Sequence, residues 1–205
     1  MRLFIAICTG LGLSASAGLR PFLPALLTGA LAGGDVEFEV AGAQVGVDFD
    51  GTDFAFFESG IFLLVILVAL AATIVAQRRF GIAAVESGPI GAALSGIAIA
   101  LGAVLFAGAL QEDGYAWWPG LIAGAAIAAL SQVAIRSLFA RIRARADRAV
   151  SEGLVAYQDG GSLIGAALAI FVPPLSLVFT AFLAWLYLGG RRRQGEKYAG
   201  LRILR

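Results

Sequence analysis

Arg20 is the residue on which chemistry is most readily built. It stands near the middle of an apolar run, residues 3–32. A charge there costs at least about 2.5–3.5 kcal/mol on membrane-insertion scales. Pro21 follows directly and suits the first position of a new half-helix. The free N–H groups and partial positive charge of such a half-helix would face the break. An arginine beside that terminus, with Gly18 two residues earlier, makes an anion site of the kind found at discontinuous transporter helices. The same guanidinium can instead bind carbonyls freed by Pro21 and Pro24, or snorkel outward. Gln132 and Arg136 stand one turn apart on a later apolar run and share a helix face. Arg136 reads first as a topology anchor and Gln132 as an interhelical hydrogen-bonding group. Together with Gly18, Arg20 and Pro21 they form the candidate anion-binding set.

Pro173 and Pro174 interrupt the last apolar run and would free the carbonyls of residues 169–172. Those carbonyls suit a cation, a proton-linked water or a donor, and Arg20 is such a donor if the two breaks meet in mid-membrane. Glu86 reads as an interfacial cap, a partner for Arg78 or Arg79, or a proton carrier. Asp48-Phe49-Asp50-Gly51-Thr52-Asp53 matches a fragment of a calcium loop but lacks the later ligands and the closing Glu, so it reads as an acidic solvated turn.

Other chemistry is excluded by absence. The chain has no histidine and one cysteine, Cys8, in an apolar run. That removes the commonest general base and metal ligand, and any intrachain disulfide or thiolate cluster. No nucleotide-binding glycine motif or serine elbow is present, and no residue pair offers acid–base or nucleophilic work. No enzyme activity, metal or cofactor is expected. A net charge of +1 gives no reason to expect a nucleic-acid partner.

The elements that must position these residues are membrane helices. Of 205 residues, 60% are AVILMFWYC and only 14% are charged. A soluble domain is about 25% charged, and a chain this small cannot hide so much apolar surface from water. The expected fold is an all-α polytopic membrane protein. It is a compact bundle with two proline-broken, partly re-entrant helices and a small extracytoplasmic β-hairpin. The single transmembrane domain covers residues 1–190, with apolar segments 3–32, 60–76, 88–110, 116–138 and 163–188. A spanning helix needs about 20 residues. The small residues Ser14-Ala15-Ser16-Ala17 also permit a cleaved signal peptide, but the apolar pattern continues past Arg20 without a polar start.

Charge sorts these segments by side. Residues 34–60 carry seven acids and no Lys or Arg, whereas residues 136–148 carry five arginines and the tail 191–205 six basic residues. Basic loops mark the cytoplasmic side. The acidic hairpin loop 34–59 is therefore expected outside, with Trp117 and Trp118 in an outer aromatic belt. An interfacial amphipathic helix at 139–160 and the basic tail, without a fixed fold, are expected inside. That gives a multi-pass inner-membrane protein with a cytoplasmic C-terminus, meeting anionic lipid headgroups there. Arginines flank the last run on both sides, so a single crossing would put residues 191–193 outside. A hairpin turning at Pro173-Pro174 keeps both ends inside, with each arm of about ten to fourteen residues too short to span. The alternation in Val36-Glu37-Phe38-Glu39-Val40, and again over residues 45–50, gives the β-hairpin. Small residues at four-residue spacing (Gly10, Ser14, Gly18; Ala92, Gly96, Ala100; Gly120, Gly124, Ala128; Gly161, Gly165, Ala169) predict close helix packing.

Residues 10–24, and Gly18, Leu19, Arg20, Phe22 and Pro24 within them, resemble the opening of an uncharacterised bacterial membrane family, the domain of unknown function DUF4126. Gly88-Pro89-Ile90-Gly91 and residues 123–136, with Gln132 and Arg136, are similar to the family's later helices. The family's usual Gly-rich stretch with an acidic residue has an echo in Asp159-Gly160-Gly161-Ser162, and the acidic hairpin looks like an addition. The resemblance implies a polytopic inner-membrane protein and no particular reaction. Three functions follow from the residues. The first is a small transporter or lipid translocase using Arg20 and the helix start at Pro21 for a phosphate or carboxylate. The second is a non-catalytic scaffold or complex subunit. The third is a channel formed by a homo-oligomer.

Overall fold

The computed structural model describes residues 1–34, 38–40, 43–82, 85, 88–143 and 148–199. Among the described residues there are seven α-helices. They are α1 (Arg2–Leu19), α2 (Phe22–Ala32), α3 (Gly60–Phe80), α4 (Gly88–Glu112), α5 (Trp118–Arg143), α6 (Arg148–Phe171) and α7 (Pro173–Ala199). Five contain an apolar stretch long enough to cross a membrane: Arg2–Leu19, Gly60–Phe80, Gly88–Glu112, Trp118–Ile142 and Gly153–Phe171. The chain is a multi-pass membrane-type helical bundle.

The first helix is its axis. From Cys8 to Leu19 every residue of α1 except Leu11 is buried. Small residues make this possible, because no large side chain holds the neighbours away. A Cβ at Gly10 would collide with Phe106 of α4, one at Gly12 with Ala169 and Ser176, and one at Gly18 with Ala128 and Ser131 of α5. Ser14 Oγ donates to Gly102 O at 2.7 Å, and Ser162 Oγ to Ser16 O at 2.9 Å. These bonds satisfy hydroxyls that have no water to turn to. Gly120 and Gly124 close the α4–α5 hairpin in the same way, a Cβ on either falling 2.8 Å from a Cα of α4. The stripe Ala92, Gly96, Ala100 behaves differently. All three are exposed, and nothing lies within 4 Å of a Cβ at Gly96.

Both proline breaks act through the residue before the proline. Arg20 is extended, φ −142 and ψ 116, and Pro21 then caps α2 at φ −64, ψ −41. A proline ring disfavours helical dihedrals in the preceding residue, so α1 ends there. Pro24 is not a break. It sits in the first turn of α2, where a missing N–H removes no intrahelical bond. In the same way Val172 separates α6 from α7, which begins with Pro173 and Pro174.

At each break the chain reverses. Ala6, in the first half of α1, packs with Phe106 and Leu110, while the helix end reaches Ser131 and accepts at Leu19 O a 2.6 Å hydrogen bond from Gln158 Nε2. The α2 helix returns, and a Cβ at Gly29 would press on Phe57 O and Leu63. Beyond Val172, Phe179 of α7 packs on Gly165 of α6, and Leu183 and Leu154 join one cluster with Leu19, Ile135 and Phe139. The bundle thus has an acidic end, around Phe106 to Glu112, and an arginine end, around Leu19, Gln132 to Phe139 and Gln158. The two turns lie at opposite ends. The α1–α2 turn is at the arginine end, and the α6–α7 turn is near Cys8, whose carbonyl accepts from Ser176 Oγ.

Several boundaries differ from the sequence expectations. The helix expected over 139–160 is described in two parts. They are the end of α5 and the start of α6, with 144–147 outside the described residues. Phe139 and Leu154 are buried, because with Ile142 they pack in one cluster with Leu19 of α1 and Leu183 of α7. The last apolar run is accordingly not two short arms, since α6 is 24 residues long. The basic tail is helical through Ala199 as a continuation of α7.

At the acidic end, β1 (Phe38–Val40) pairs antiparallel with β2 (Ala43–Val45), Phe38 opposite Val45. The second strand does not extend over 45–50, because Val47 and Phe49 leave the ladder and become buried. Phe49 lies 5.3 Å from the Phe57 ring, and a Cβ at Gly108 would lie 2.6 Å from Phe49 Cε1. Glu58 Oε1 accepts from Phe49 N–H at 2.5 Å, Glu112 Oε1 from Asp48 N–H at 3.1 Å, and Asp53 Oδ2 from Gln111 Nε2 at 2.9 Å. Asp48 Oδ1 accepts from Asp50 N–H at 2.8 Å. The three acids of the 48–53 turn, Asp48, Asp50 and Asp53, thus accept from the protein's own N–H groups.

Candidate functional site

The α1–α2 turn opens into a cavity of about 340 Å³ at the arginine end. Its floor is the turn itself, Leu19 to Phe22, with Gln158 and Asp159 of α6 beside it. One wall is α5, through Gln132, Ile135, Arg136 and Phe139, with Gly91 and Leu94 of α4. The facing wall is α3, through Leu70, Thr73, Ile74 and Gln77, which recur at one helical face.

Arg20 is paired. Its Nε lies 2.5 Å from Asp159 Oδ1, with 14% of the Arg20 side chain exposed and 42% of the Asp159 side chain. The contact is an ion pair without hydrogen-bond alignment. Neither Nε nor Nη2 of Arg20 has a hydrogen-bonded acceptor among the described residues, although both atoms are buried. Gln158 Oε1 is in the same condition, its Nε2 being taken by Leu19 O. Arg136 Nη2 donates to Ser95 Oγ at 2.5 Å and to Gly91 O at 3.4 Å, which ties α5 to α4 while leaving the side chain exposed. Among the described residues the lining holds two guanidinium groups and one carboxylate, a net positive charge. Buried N–H donors without acceptors beside a net positive charge favour an anion.

Of the candidate set, Arg20, Pro21, Gln132 and Arg136 line this cavity together. Gly18 does not. It faces Ala128 and Ser131, so its role is helix contact. The α2 terminus contributes less than a generic half-helix would, because Pro21 and Pro24 have no N–H to give. Arg20 does not reach the carbonyls near Pro173, as the two turns lie at opposite ends. Pro173 O instead accepts from Ser176 Oγ at 2.7 Å. Nor is Arg20 in mid-bundle. It is central in its apolar run, but the run folds in two there, which brings it to the level of Gln132 and Arg136. Glu86 lies outside the described residues.

Gln158 and Asp159 are the site residues that the sequence reading missed. Their signal was present, since an acid in a helix that continues as an apolar span needs a cation.

The model of the domain of unknown function DUF4126 matches residues 7–192, nearly the whole bundle including Arg20, Gln132, Arg136 and Asp159. The chain belongs to the DUF4126 family. No curated protein and no solved structure matches it. The family is one of unknown function, so its chemistry has to be argued from the cavity.

Proposed function

We propose that this family member is a small membrane transporter or lipid translocase that holds an anionic group, a phosphate or carboxylate, at the α1–α2 turn. One observation carries the reading. Arg20 and Arg136, from different parts of the bundle, share a cavity in which, among the described residues, Asp159 is the one carboxylate and Arg20 Nη2 has no acceptor. A guanidinium fork bonds two oxygens of a phosphate or carboxylate at once. The arginine end is the cytoplasmic end of an inner-membrane protein by the charge of its loops. On that orientation the α1–α2 break lies toward the cytoplasmic side, and transporters build substrate sites at discontinuous helices of this kind. The test is flux or scrambling in proteoliposomes. Arg20→Ala and Arg136→Ala should each lower the rate at least tenfold. Full activity in both variants would remove the arginines from the mechanism.

A second reading is a non-catalytic scaffold or complex subunit. The position of the α6–α7 turn, at the far end from Arg20, favours it, because the two breaks do not share the cavity. It predicts partners that co-purify with the intact chain and are lost on deletion of residues 191–205.

A further inference from the structure

We infer that the ligand of this cavity is a membrane lipid with an anionic phosphate headgroup, which comes in sideways between α3 and the α4–α5 pair. The inference rests on the anion-site reading above and specifies its substrate class. Three observations lead to it.

The cavity is closed below and open at the side. Leu19, Phe22, Val85 and Phe139 are buried, whereas Ile74, Arg136 and Ala140 are exposed, Ile74 by 43%. The exposed members belong to helix faces that meet lipid in a membrane.

Among the described residues the α3 wall packs on the core through its first half, from Phe62 to Leu70. Phe62, near its start, packs edge-on to Phe56 and Phe57 at 5.3 and 5.1 Å, and Leu63 lies by Gly29. Ile66 is the buried residue of α3, and 6% of its spanning stretch is buried, against 67% for α1. The far half of α3 stands across the cavity from α4 and α5 and borders lipid along its length.

The lining mixes polar groups, Arg20, Gln132 and Arg136, with apolar helix faces. A soluble anion needs only the polar groups. The walls Leu70, Ile74, Leu94 and Ile135 add surface that a hydrated ion cannot use but a glycerol backbone and the first acyl methylenes can. About 340 Å³ lies at the lower end of ligand sites, roughly 300–1,000 Å³. That volume accommodates a headgroup and leaves the chains to run out between the helices.

Native mass spectrometry of the full chain tests this, with added phosphatidylglycerol or phosphatidylcholine. Equilibrium dialysis with labelled inorganic phosphate runs in parallel. Phosphatidylglycerol adducts should exceed phosphatidylcholine adducts about tenfold, and Arg136→Ala or Arg20→Ala should erase the difference. Ile74→Trp, at an exposed position, should cut lipid adducts at least fivefold while phosphate binding stays as in the parent. Equal adducts of the two lipids, or lipid adducts indifferent to Ile74→Trp, overturn the lipid assignment. If phosphate binding still needs Arg136 in that case, the anion site itself stands. Phosphate binding indifferent to both arginines overturns the site and the lipid together. Arg136 is exposed and its loss gives up hydrogen bonds to Ser95 and Gly91 without opening the core, so its variant is expected to fold even where Arg20→Ala does not.

Discussion

Asp159→Asn should lower stability and strengthen anion binding in one protein. Asp159 is the counter-ion of Arg20, with 2.5 Å between Oδ1 and Nε. At about 4 Å between charge centres and an effective dielectric of about 20, the attraction is roughly 4 kcal/mol before desolvation is subtracted. Removing one partner of a fully buried pair costs about 3–5 kcal/mol. Asp159 keeps 42% of its side chain exposed, which screens the pair and brings the expected cost to about 2 kcal/mol. The cost is asymmetric. Asp159→Asn strands a guanidinium that is only 14% exposed, whereas Arg20→Gln leaves a carboxylate that water still reaches. Asp159→Asn should therefore be the more destabilising by about 1 kcal/mol, and the double variant should recover about 1–2 kcal/mol through the coupling. Unfolding by denaturant in detergent micelles measures all four proteins. Phosphate affinity should move the other way in Asp159→Asn, rising about three- to tenfold, because the bound anion no longer displaces a carboxylate from Arg20. A coupling indistinguishable from zero, or a weaker phosphate affinity in Asp159→Asn, would refute the counter-ion argument.

Helix packing gives a paired test. Gly124→Leu must push α5 off Ala103 and should cost about 3 kcal/mol or prevent folding, whereas Gly96→Leu, with open space around it, should stay within about 0.5 kcal/mol of the parent by the same unfolding measurement. Phe49→Ala should cost about 3 kcal/mol, since its ring is wholly buried between Phe57 and Gly108. Proteolysis within residues 46–59 should accelerate in that variant while the cavity's phosphate affinity is retained, because the two features lie at opposite ends of the bundle.

Much of the bundle was legible from residues alone, for reasons of local physics. The length of an apolar run sets whether it can cross, and the proline ring acts on its immediate predecessor, which places breaks at Arg20 and Val172. Small residues at four-residue spacing marked the faces of α1, α5 and α6 that do pack. The same spacing at Ala92, Gly96 and Ala100 marked a face that does not, because spacing describes one helix and packing needs two. The stretch 139–160 shows a related limit. Its amphipathic pattern was real, but a pattern says that an apolar face is covered and not by what.

The sequence by itself determined the solvent, the helices, the break points and four residues that line one cavity, Arg20, Pro21, Gln132 and Arg136. Each follows from composition or from neighbours a few positions away. Only the tertiary structure decided in which direction the chain leaves each break. The reversal at Arg20 carries the middle of an apolar run to the end of the bundle, and the reversal at Val172 sends the second break to the opposite end. From those two turns come the Arg20–Asp159 pair, 139 residues apart in sequence, and the separation of Arg20 from Pro173. A proline fixes where a helix stops. The direction taken next is set by which buried surfaces then fit, and those lie on helices far along the chain.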